Sequence, residues 1–479
     1  MALKKNLFYN LLLSVSQILF PLLSIPYISR VLEAEGIGKV NSIDSLTYFL
    51  VVVAELGFST FAVREISKLQ SNKKALQERS NQLISLHIVS TLLVTVVYAL
   101  SLYFLWLKIQ STTMLWFSIL FYVGNVFNCE WYYWGTEKFK YIAIRSIVTR
   151  FVGLFFIFLL IKLPSDFEKY YGIIVCTMMV NIVLNAIQIL PKFKLSFSNL
   201  TTDFKSCLPA YLIGLIHSVT LMLDNVMLGF TSTFVAVAYY GNAVKIVRIS
   251  GALITDLFAV FFPRATILVH EEKQEELNAL FEKTIQLIFV FSIPLSIGLF
   301  VFAHFFTAIY FGKTLQLVAD NLLILSAYPM IKSLNYFFSR QVLLSHHQDQ
   351  TALKGYVLGS MLFVVGCIGF SYFWQDKGCS LAIIVSEIGM LIYFYLASKK
   401  WVAQVSFSLL PYLLLALVTA IIFVGVKMSV QYYLPINLFS LLLAVFVAVF
   451  FYAIYLFFII RNQFAISLLF ILKNKLKRN

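Results

Sequence analysis

Long apolar segments alternate with short polar connections along almost the whole chain. Most of the apolar segments hold about 20 residues, the length that a helix needs to cross the hydrocarbon of a bilayer. The pattern therefore predicts an all-α polytopic membrane protein with fourteen transmembrane helices. The predicted spans are 8–28, 41–62, 83–107, 114–134, 144–162, 171–191, 208–230, 236–262, 285–308, 319–339, 356–374, 380–398, 408–426 and 437–460.

Two connections, 64–82 and 264–284, are longer than the others, and each predicts an amphipathic helix at the membrane surface. Their starts are 200 residues apart (264 minus 64), and a similar offset pairs span 1 with span 7 and span 4 with span 10. We infer two six-helix halves of the same orientation, since six is even, with a substrate site between them. The predicted organisation is 1–200 and 201–400 for the two bundles, 401–460 for helices 13 and 14, and 461–479 for a basic cytoplasmic tail.

The eighth predicted span, 236–262, carries charges that a lipid-facing helix would not tolerate. Lys245, Arg248 and Asp256 share one stripe of this helix, and its other face holds Val, Ile, Leu and Phe. Each charge at mid-bilayer costs roughly 2.5–3.5 kcal/mol even on the lenient insertion scale. The stripe therefore forms either a packed salt bridge between helices or a wet, cationic surface that faces substrate.

Charges in the first half recur about 201 residues later, often with the opposite sign. The matched pairs are Asp44 with Lys245, Glu55 with Asp256, and Glu130 with Lys332. This pattern predicts a central cavity with an acidic wall opposite a basic wall, and it makes Glu130 a possible cavity acid.

Spans 1 and 7 add further candidates. His217 and Asp224 share one face of span 7 and form a candidate proton relay, because histidine titrates near neutral pH. A buried histidine with satisfied hydrogen bonds would give the same sequence. Arg30, at the outer end of span 1, is either an interfacial anchor or a substrate contact. The candidates for ion or proton coupling are Asp44, Glu55, Asp224, Asp256 and His217.

Composition agrees with a membrane protein. Of 479 residues, 60% are hydrophobic and 12% are charged, against about 25% charged in soluble domains. The net charge of +15 is explained by Lys and Arg in the connections that are inner if Met1 is cytoplasmic, which predicts that both termini are cytoplasmic. Nucleic acid is therefore not an expected partner. The five scattered cysteines predict neither a disulfide framework nor a metal site.

The sequence contains no GxxxxGK[ST] phosphate loop, no soluble domain and no large outer loop for a polymerase site. We therefore expect a carrier and not an enzyme, with no cofactor, driven by a substrate gradient, ions or membrane potential. A non-transporting scaffold for envelope synthesis is a further alternative. It predicts that neutralising Lys245, Arg248 and Lys332 leaves polymer output unchanged.

Five segments, in order, resemble the bacterial polysaccharide repeat-unit flippases of O-antigen and capsule pathways (Wzx type), which belong to the multidrug/oligosaccharidyl-lipid/polysaccharide exporter superfamily. The segments are PLLSIPYISRVLEAEGIGKVNSIDSLTYFLVVVAELGF with VREIS, EWYYWGTEKFKYIAIRSIVTR, the motifs LMLDNVMLGF, VAYYGNAVKI and FFPRATIL within Leu221–Leu268, the stretch Pro294–Gly312, and SRQVLLS at Ser339–Ser345. The chain departs from the family pattern at Ala34, where glycine is usual, and in spans 11 and 12, which lack the expected asparagines.

The resemblance implies two six-helix bundles in a V around a central cavity, located in the bacterial cytoplasmic membrane. It also implies that undecaprenyl-diphosphate-linked oligosaccharide moves from the inner to the outer leaflet by alternating access. A diphosphate needs cationic partners, and these would be Lys245, Arg248, Lys332 and Arg30. The alternative in the same superfamily is a cation-coupled drug or metabolite antiporter, which would need an acidic cavity without a basic stripe.

The expected partners follow from this substrate. They are the lipid-linked oligosaccharide, membrane lipids, and the polysaccharide polymerase with other assembly proteins as candidates. We expect the carrier itself to be a monomer.

Overall fold

Helices make up nearly all of the described chain. The structure, a computed structural model, describes residues 2–55, 57–187, 189–405 and 408–458, and within them all side chains except those of 2–8, 10, 11, 18, 192, 209–221 and 458. No strand occurs in this part of the chain. The first eight α-helices are α1 (Ala2–Val31), α2 (Ala34–Glu55), α3 (Phe58–Ser67), α4 (Lys73–Ile109), α5 (Thr112–Gly124), α6 (Glu130–Gly135), α7 (Phe139–Leu160) and α8 (Phe167–Ala186).

Six of the remaining nine helices have more than 20 residues, and the predicted span 319–339 is interrupted. The run of α13 and α14 is broken before Tyr328 and Pro329, and α14 continues as a π-helical segment, Phe337–Leu344. Helix α15 is two helices joined at Gln375, whose φ of 50° and ψ of −122° are not helical. The helices are α9 (Leu200–Thr231), α10 (Phe234–Phe258), α11 (Phe261–His270), α12 (Gln274–Tyr310), α13 (Val318–Leu325), α14 (Tyr328–Tyr336), α15 (Asp349–Val402), α16 (Leu410–Tyr433) and α17 (Leu438–Phe458).

Nine helices of the described residues are long and apolar enough to cross a membrane, or ten if α10 and α11, bent by 41°, count as one span. This confirms an all-helical, polytopic membrane protein. The count of fourteen spans stays a prediction.

The two long polar connections do not form separate surface helices, and that prediction is wrong. In the first, α3 ends at Ser67, and the side chain of Asn72 accepts hydrogen bonds from the backbone N–H groups of Lys74 and Ala75 (3.2 and 3.1 Å). Asparagine is a strong N-cap, so a new helix starts there and continues into the third predicted span. In the second, α11 ends at His270 and α12 starts at Gln274. The polar half of each connection is thus the first part of a long apolar helix.

The described residues form two compact units. Unit 1 comprises the described residues up to Asn242 with Phe311–Leu315 and Tyr356–Ser386, and unit 2 comprises Ala243–Tyr310, Gln316–Gly355 and the described residues from Glu387 onward. In unit 1, α2 packs against α4, α5, α8 and α9. In unit 2, α12 packs against α13, α14, α16 and α17. The division at residues 200, 400 and 460 stays a prediction.

An ionic cluster in unit 1 ties the start of α9 to α3 and α4. Arg79 donates to both carboxylate oxygens of Asp203 (2.8 and 2.9 Å) and to Glu65 Oε2 (3.0 Å). Lys68 Nζ lies 2.7 Å from Glu65 Oε1. A bidentate arginine–carboxylate pair is among the stronger polar contacts in proteins, so this cluster fixes the connection between the eighth and ninth helices.

We expect acid to weaken this cluster. Burial by itself raises the pKa of Glu65, but the hydrogen bond from Lys68 and the charge of Arg79 outweigh it and lower the pKa below the usual 4.5. A carboxyl with a lowered folded pKa contributes stability that is complete above its unfolded pKa and is lost as pH falls through the folded value. Melting temperature in detergent should therefore fall below about pH 4.5, and Glu65→Gln should be less stable near pH 7 but lose less on acidification. Parallel acid profiles for the two proteins would contradict this account.

Candidate functional site

Charged and amide side chains meet in unit 2, where α14 contacts the last part of α15. Lys332 Nζ lies 2.7 Å from Glu387 Oε1. The Asn335 amide donates to Glu387 Oε2 (2.7 Å) and to the Glu387 backbone oxygen (2.9 Å). The side chain of Glu387 is 7% exposed, whereas that of Lys332 is 35% exposed. Both oxygens of the buried carboxylate thus have a partner, whereas the lysine that pairs with it is partly exposed.

Helix α10 packs against Tyr328 and Lys332 of α14 at Gly251. A Cβ atom added at Gly251 would lie 3.0 Å from Tyr328 Cε1 and 3.8 Å from Lys332 Cγ. The absence of a side chain at Gly251 therefore lets α10 lie against the stem of Lys332. Arg248, which is half-buried, comes three residues earlier and lies about 60° around α10 from Gly251. We call Arg248, Lys332, Asn335 and Glu387 the polar cluster of unit 2.

Lys245 and Asp256 lie elsewhere on α10. Both are exposed, and helix geometry puts them roughly 120–140° around α10 from Gly251. Arg248 lies between these positions, about 60° around the helix from Gly251 and about 60° from Lys245, so the single stripe of three charges stays a prediction. Arg248 is half-buried, whereas Lys245 and Asp256 are exposed.

Glu387 was not among the residues predicted from the sequence. A lone carboxylate inside an apolar span is itself a signal of a paired or functional group. Nothing in the sequence indicated its partner, however, because Lys332 is 55 residues away.

The acids of α2 lie in unit 1. Asp44 and Glu55 are half-buried, and Glu55 accepts hydrogen bonds from Ser59 Oγ (3.1 Å) and from the Asn125 amide (3.3 Å). The last carboxylate of α2 is therefore held by neutral donors, a hydroxyl and an amide.

Glu55 is one end of a chain of side chains in unit 1. Asn128 donates to Asn125 (3.4 Å), and Asn185 donates to Asn128 (3.3 Å). Arg145 then donates to the Asn185 side chain and lies 3.5 Å from Glu130 Oε1. Hydrogen bonds and one ion pair thus link two of the predicted acids through residues that the sequence did not single out. We call this set the amide chain of unit 1: Glu55, Asn125, Asn128, Asn185, Arg145 and Glu130.

Glu130 is the first residue of the short helix α6 and is paired with Arg145. Its place at the end of the amide chain gives it a cationic partner in unit 1. Its assignment as a cavity acid remains a prediction.

Asp224 is completely buried in unit 1. Its carboxylate accepts a hydrogen bond from the Tyr240 hydroxyl (2.8 Å) and another from the Asn225 backbone N–H (2.7 Å). The predicted partner, His217, has its side chain outside the described residues. Within the described part of the chain, no three His, Cys, Asp or Glu side chains are grouped to hold a metal ion.

Arg30 ends α1 and also belongs to unit 1. It is exposed, it donates to the Pro26 carbonyl (3.0 Å), and its stem lies over Gly312, where an added Cβ would come within 3.2 Å of Arg30 Cγ. Gly312 has a φ of +76°, a conformation that glycine adopts most readily. The assignment of Arg30 as a substrate contact stays a prediction.

Unit 2 also contains an apolar groove among α12, α16 and α17. It has a volume of about 470 Å³. Its lining includes Pro294, Gly298, Phe302, Phe423, Leu441 and Val445. A groove of this kind accepts a hydrocarbon chain and offers no partner to a polar group.

Two family models match this chain. One, described as polysaccharide biosynthesis protein, matches residues 3–269, and the other, described as lipid II flippase MurJ, matches residues 171–457. Each covers more than half of the 479 residues. The chain belongs to the polysaccharide biosynthesis protein family. The resemblance to Wzx-type polysaccharide flippases is thereby confirmed, and members of this family are transporters and not enzymes.

Curated relatives agree with the family. One from Shigella dysenteriae, named "Putative O-antigen transporter", is 22% identical over 405 residues, which is 83% of this chain and 100% of the relative. Another of the same name, from Escherichia coli (strain K12), is 22% identical over 396 residues, 81% of this chain and 94% of the relative.

Solved structures show the same fold. Lipid II flippase MurJ in an inward closed conformation gives a TM-score of 0.71 at 14% identity, covering 96% of this chain and all of that chain. An inward-facing multidrug resistance MATE family transporter of the MOP superfamily gives 0.58 at 15% identity, covering 81% and 95%. The polysaccharide biosynthesis protein family member described here therefore has a MurJ-like fold.

Proposed function

We propose that this family member moves undecaprenyl-diphosphate-linked oligosaccharide repeat units from the inner to the outer leaflet of the bacterial cytoplasmic membrane, for surface polysaccharide synthesis. The observation that carries the proposal is the pair of cations Arg248 and Lys332, on adjacent helices of a chain with the MurJ-like fold. The relatives named as O-antigen transporters support the same cargo class.

The proposal includes alternating access between two six-helix bundles in a V, fourteen spans, both termini cytoplasmic, and a monomeric carrier. The spans beyond the nine or ten would be α9, the helices broken near Asn125 and Pro329, and the second half of α15. The breaks near Asn125 and Pro329 support this reading, since each divides a predicted span into shorter pieces, and the break at Gln375 falls between the predicted spans 356–374 and 380–398.

We assign the diphosphate to Arg248 and Lys332. Arginine can bind phosphate through two parallel N–H donors, and lysine supplies a mobile point charge. Lys245 and Arg30 are proposed as further contacts for diphosphate or sugar. The apolar groove of unit 2 would hold part of the prenyl chain.

We assign energy coupling to membrane potential and to acids. With an inside-negative membrane, each negative charge that moves outward gains about 2.3 kcal/mol per 100 mV. Proton or cation return would use Asp44, Glu55, Asp224, Asp256 or His217. Among these, Asp224 is held by a tyrosine hydroxyl and Glu55 by amide and hydroxyl donors. Glu130 would contribute to the acidic wall of the central cavity and take no part in coupling.

Depletion of the protein in a host that needs it for surface polysaccharide tests the proposal. Lipid-linked repeat units should accumulate, and a membrane-impermeant sugar-oxidising label added to intact spheroplasts should reach a smaller fraction of them. Depletion of the polymerase is the matched control, because it should enlarge the labelled outer pool. An unchanged outer pool with lost polymer would indicate a scaffold. Unchanged polymer with altered resistance to organic cations would indicate the antiporter.

A further inference from the structure

We propose that Glu387 is an internal competitor of the substrate diphosphate: it holds Lys332 in the empty site, yields it to the arriving diphosphate, and takes it back at release. The inference rests on the proposed function and adds to it a positioning residue that controls affinity and selects anionic ligands.

Glu387 and Lys332 differ in how far each is exposed to an entering ligand. Glu387 is shielded, with 7% of its side chain exposed, and Lys332 is 35% exposed. An anion that enters the polar cluster of unit 2 therefore meets the ammonium group before it meets the carboxylate.

Asn335 holds Glu387 in place, so Lys332 is the residue of the ion pair that moves. Its amide donates to Glu387 Oε2 and to the backbone oxygen of the same residue. The carboxylate is thus fixed at both its side chain and its backbone. Lys332, in contrast, has a flexible four-carbon stem with rotatable donors. Exchange of partners therefore happens by a swing of Lys332 while Glu387 stays in place.

The surroundings of Lys332 allow this swing. The stem lies next to Gly251, and the ammonium group is 5.9 Å from the centre of the Tyr328 ring. An ammonium near an aromatic face is stabilised by the ring's negative face. Tyr328 thus offers a second contact while the ammonium passes from Glu387 toward a diphosphate beside Arg248.

The exchange replaces one anionic partner of Lys332 by another. A carboxylate and a phosphate accept the same N–H donors, so Lys332 gives up one anionic oxygen and gains another, and no bond is made or broken covalently. A cationic ligand cannot replace Glu387 as the partner of Lys332, and a neutral oxygen acceptor competes poorly, because its hydrogen bond with the ammonium is weaker than that of a carboxylate. Competition therefore lowers the affinity for the diphosphate, favours its release, and disfavours ligands without negative charge.

Binding of farnesyl diphosphate to the full-length protein in detergent tests the inference. Glu387→Gln should bind this probe more tightly, on the order of tenfold, which is the value of one charge-assisted hydrogen bond. It should bind farnesol no better than the wild type, and cells that carry it should show less surface polymer because release is slow. The double variant Lys332→Gln/Glu387→Gln should bind the diphosphate more weakly than the wild type.

Two further variants make the result decisive. Glu276→Gln removes a carboxylate from an exposed ion pair of unit 2, with Arg264, and should leave binding unchanged. Glu387→Asp keeps the buried charge but withdraws it by one methylene, so it should tighten binding by a smaller factor even if the glutamine variant folds poorly.

The outcomes separate the two proposals. If the wild type binds farnesyl diphosphate and Arg248→Ala weakens that binding, but neither Glu387 variant tightens it, Glu387 is only a structural partner of Lys332 and this inference is overturned. If the wild type does not bind the probe and Arg248→Ala has no effect on polymer, the proposed function itself fails.

Discussion

Arg248→Ala should remove most surface polymer while normal amounts of the protein remain in the membrane. Arg248 is half-buried on α10, three residues before Gly251, where this helix lies against the stem of Lys332. We propose that it binds the substrate diphosphate together with Lys332. Hydrogen bonds to charged groups contribute about 1.5–3 kcal/mol, so loss of one such contact should reduce transport roughly 10- to 150-fold. Arg248→Lys should restore part of it, because lysine keeps the charge and loses the bidentate geometry.

The measurement is surface polysaccharide together with the amount of inner-leaflet lipid-linked repeat unit, which should rise in the alanine variant. Arg264→Ala is the matched control, since it removes an arginine of unit 2 whose exposed ion pair with Glu276 lies at the surface. Unchanged polymer in Arg248→Ala would make Arg248 a structural ion-pair partner. The diphosphate site would then have to be sought among other residues of the chain, such as Arg30 on α1.

The fold class could be predicted from the sequence because a membrane reduces the problem to length and polarity. Apolar segments of about 20 residues can only be helices when they cross a bilayer. The same argument failed at 64–82 and 264–284. There, polarity predicted segments outside the bilayer, but only local capping by residues such as Asn72 decides where one helix ends and the next begins.

The candidate site was predictable in part. The charge of Arg248 inside an apolar span was visible, and so was that of Lys332. The close approach of α10 to Lys332 was not, because it depends on which side of α10 packs against Tyr328, and this is decided by the missing side chain of Gly251.

The partners of the charges were the least predictable feature. Glu387 meets Lys332 across 55 residues, and Asn185 meets Asn128 across 57. A single sequence indicates that such polar groups need partners when they are buried. It does not give the relative rotation of the two helices, on which the choice of partner depends.

Gly38→Val should prevent unit 1 from folding. A Cβ atom at this position would lie 1.7 Å from the backbone oxygen of Phe234 and 2.4 Å from its carbonyl carbon. Backbone atoms cannot rotate away as a side chain can, so α2 and the start of α10 would have to separate. Helix α2 packs against α4, α5, α8 and α9, and its displacement would disturb each of those contacts. We expect a loss above about 4 kcal/mol, the range of severe core overpacking and backbone strain, and little protein in the membrane.

Gly369→Ala is the matched control for this prediction. It also lies inside a helix of unit 1, but an added Cβ there meets nothing within 4 Å. Alanine in a helix interior is favoured over glycine by about 0.5–1 kcal/mol, so this variant should be as stable as the wild type or slightly more stable. Membrane yield and melting temperature in detergent, measured for Gly38→Ala, Gly38→Val and Gly369→Ala, separate the two causes. If Gly38→Ala melts with the wild type, α2 is not held against Phe234 at this distance. If it falls while Gly369→Ala does not, the close approach of the backbones is what requires glycine.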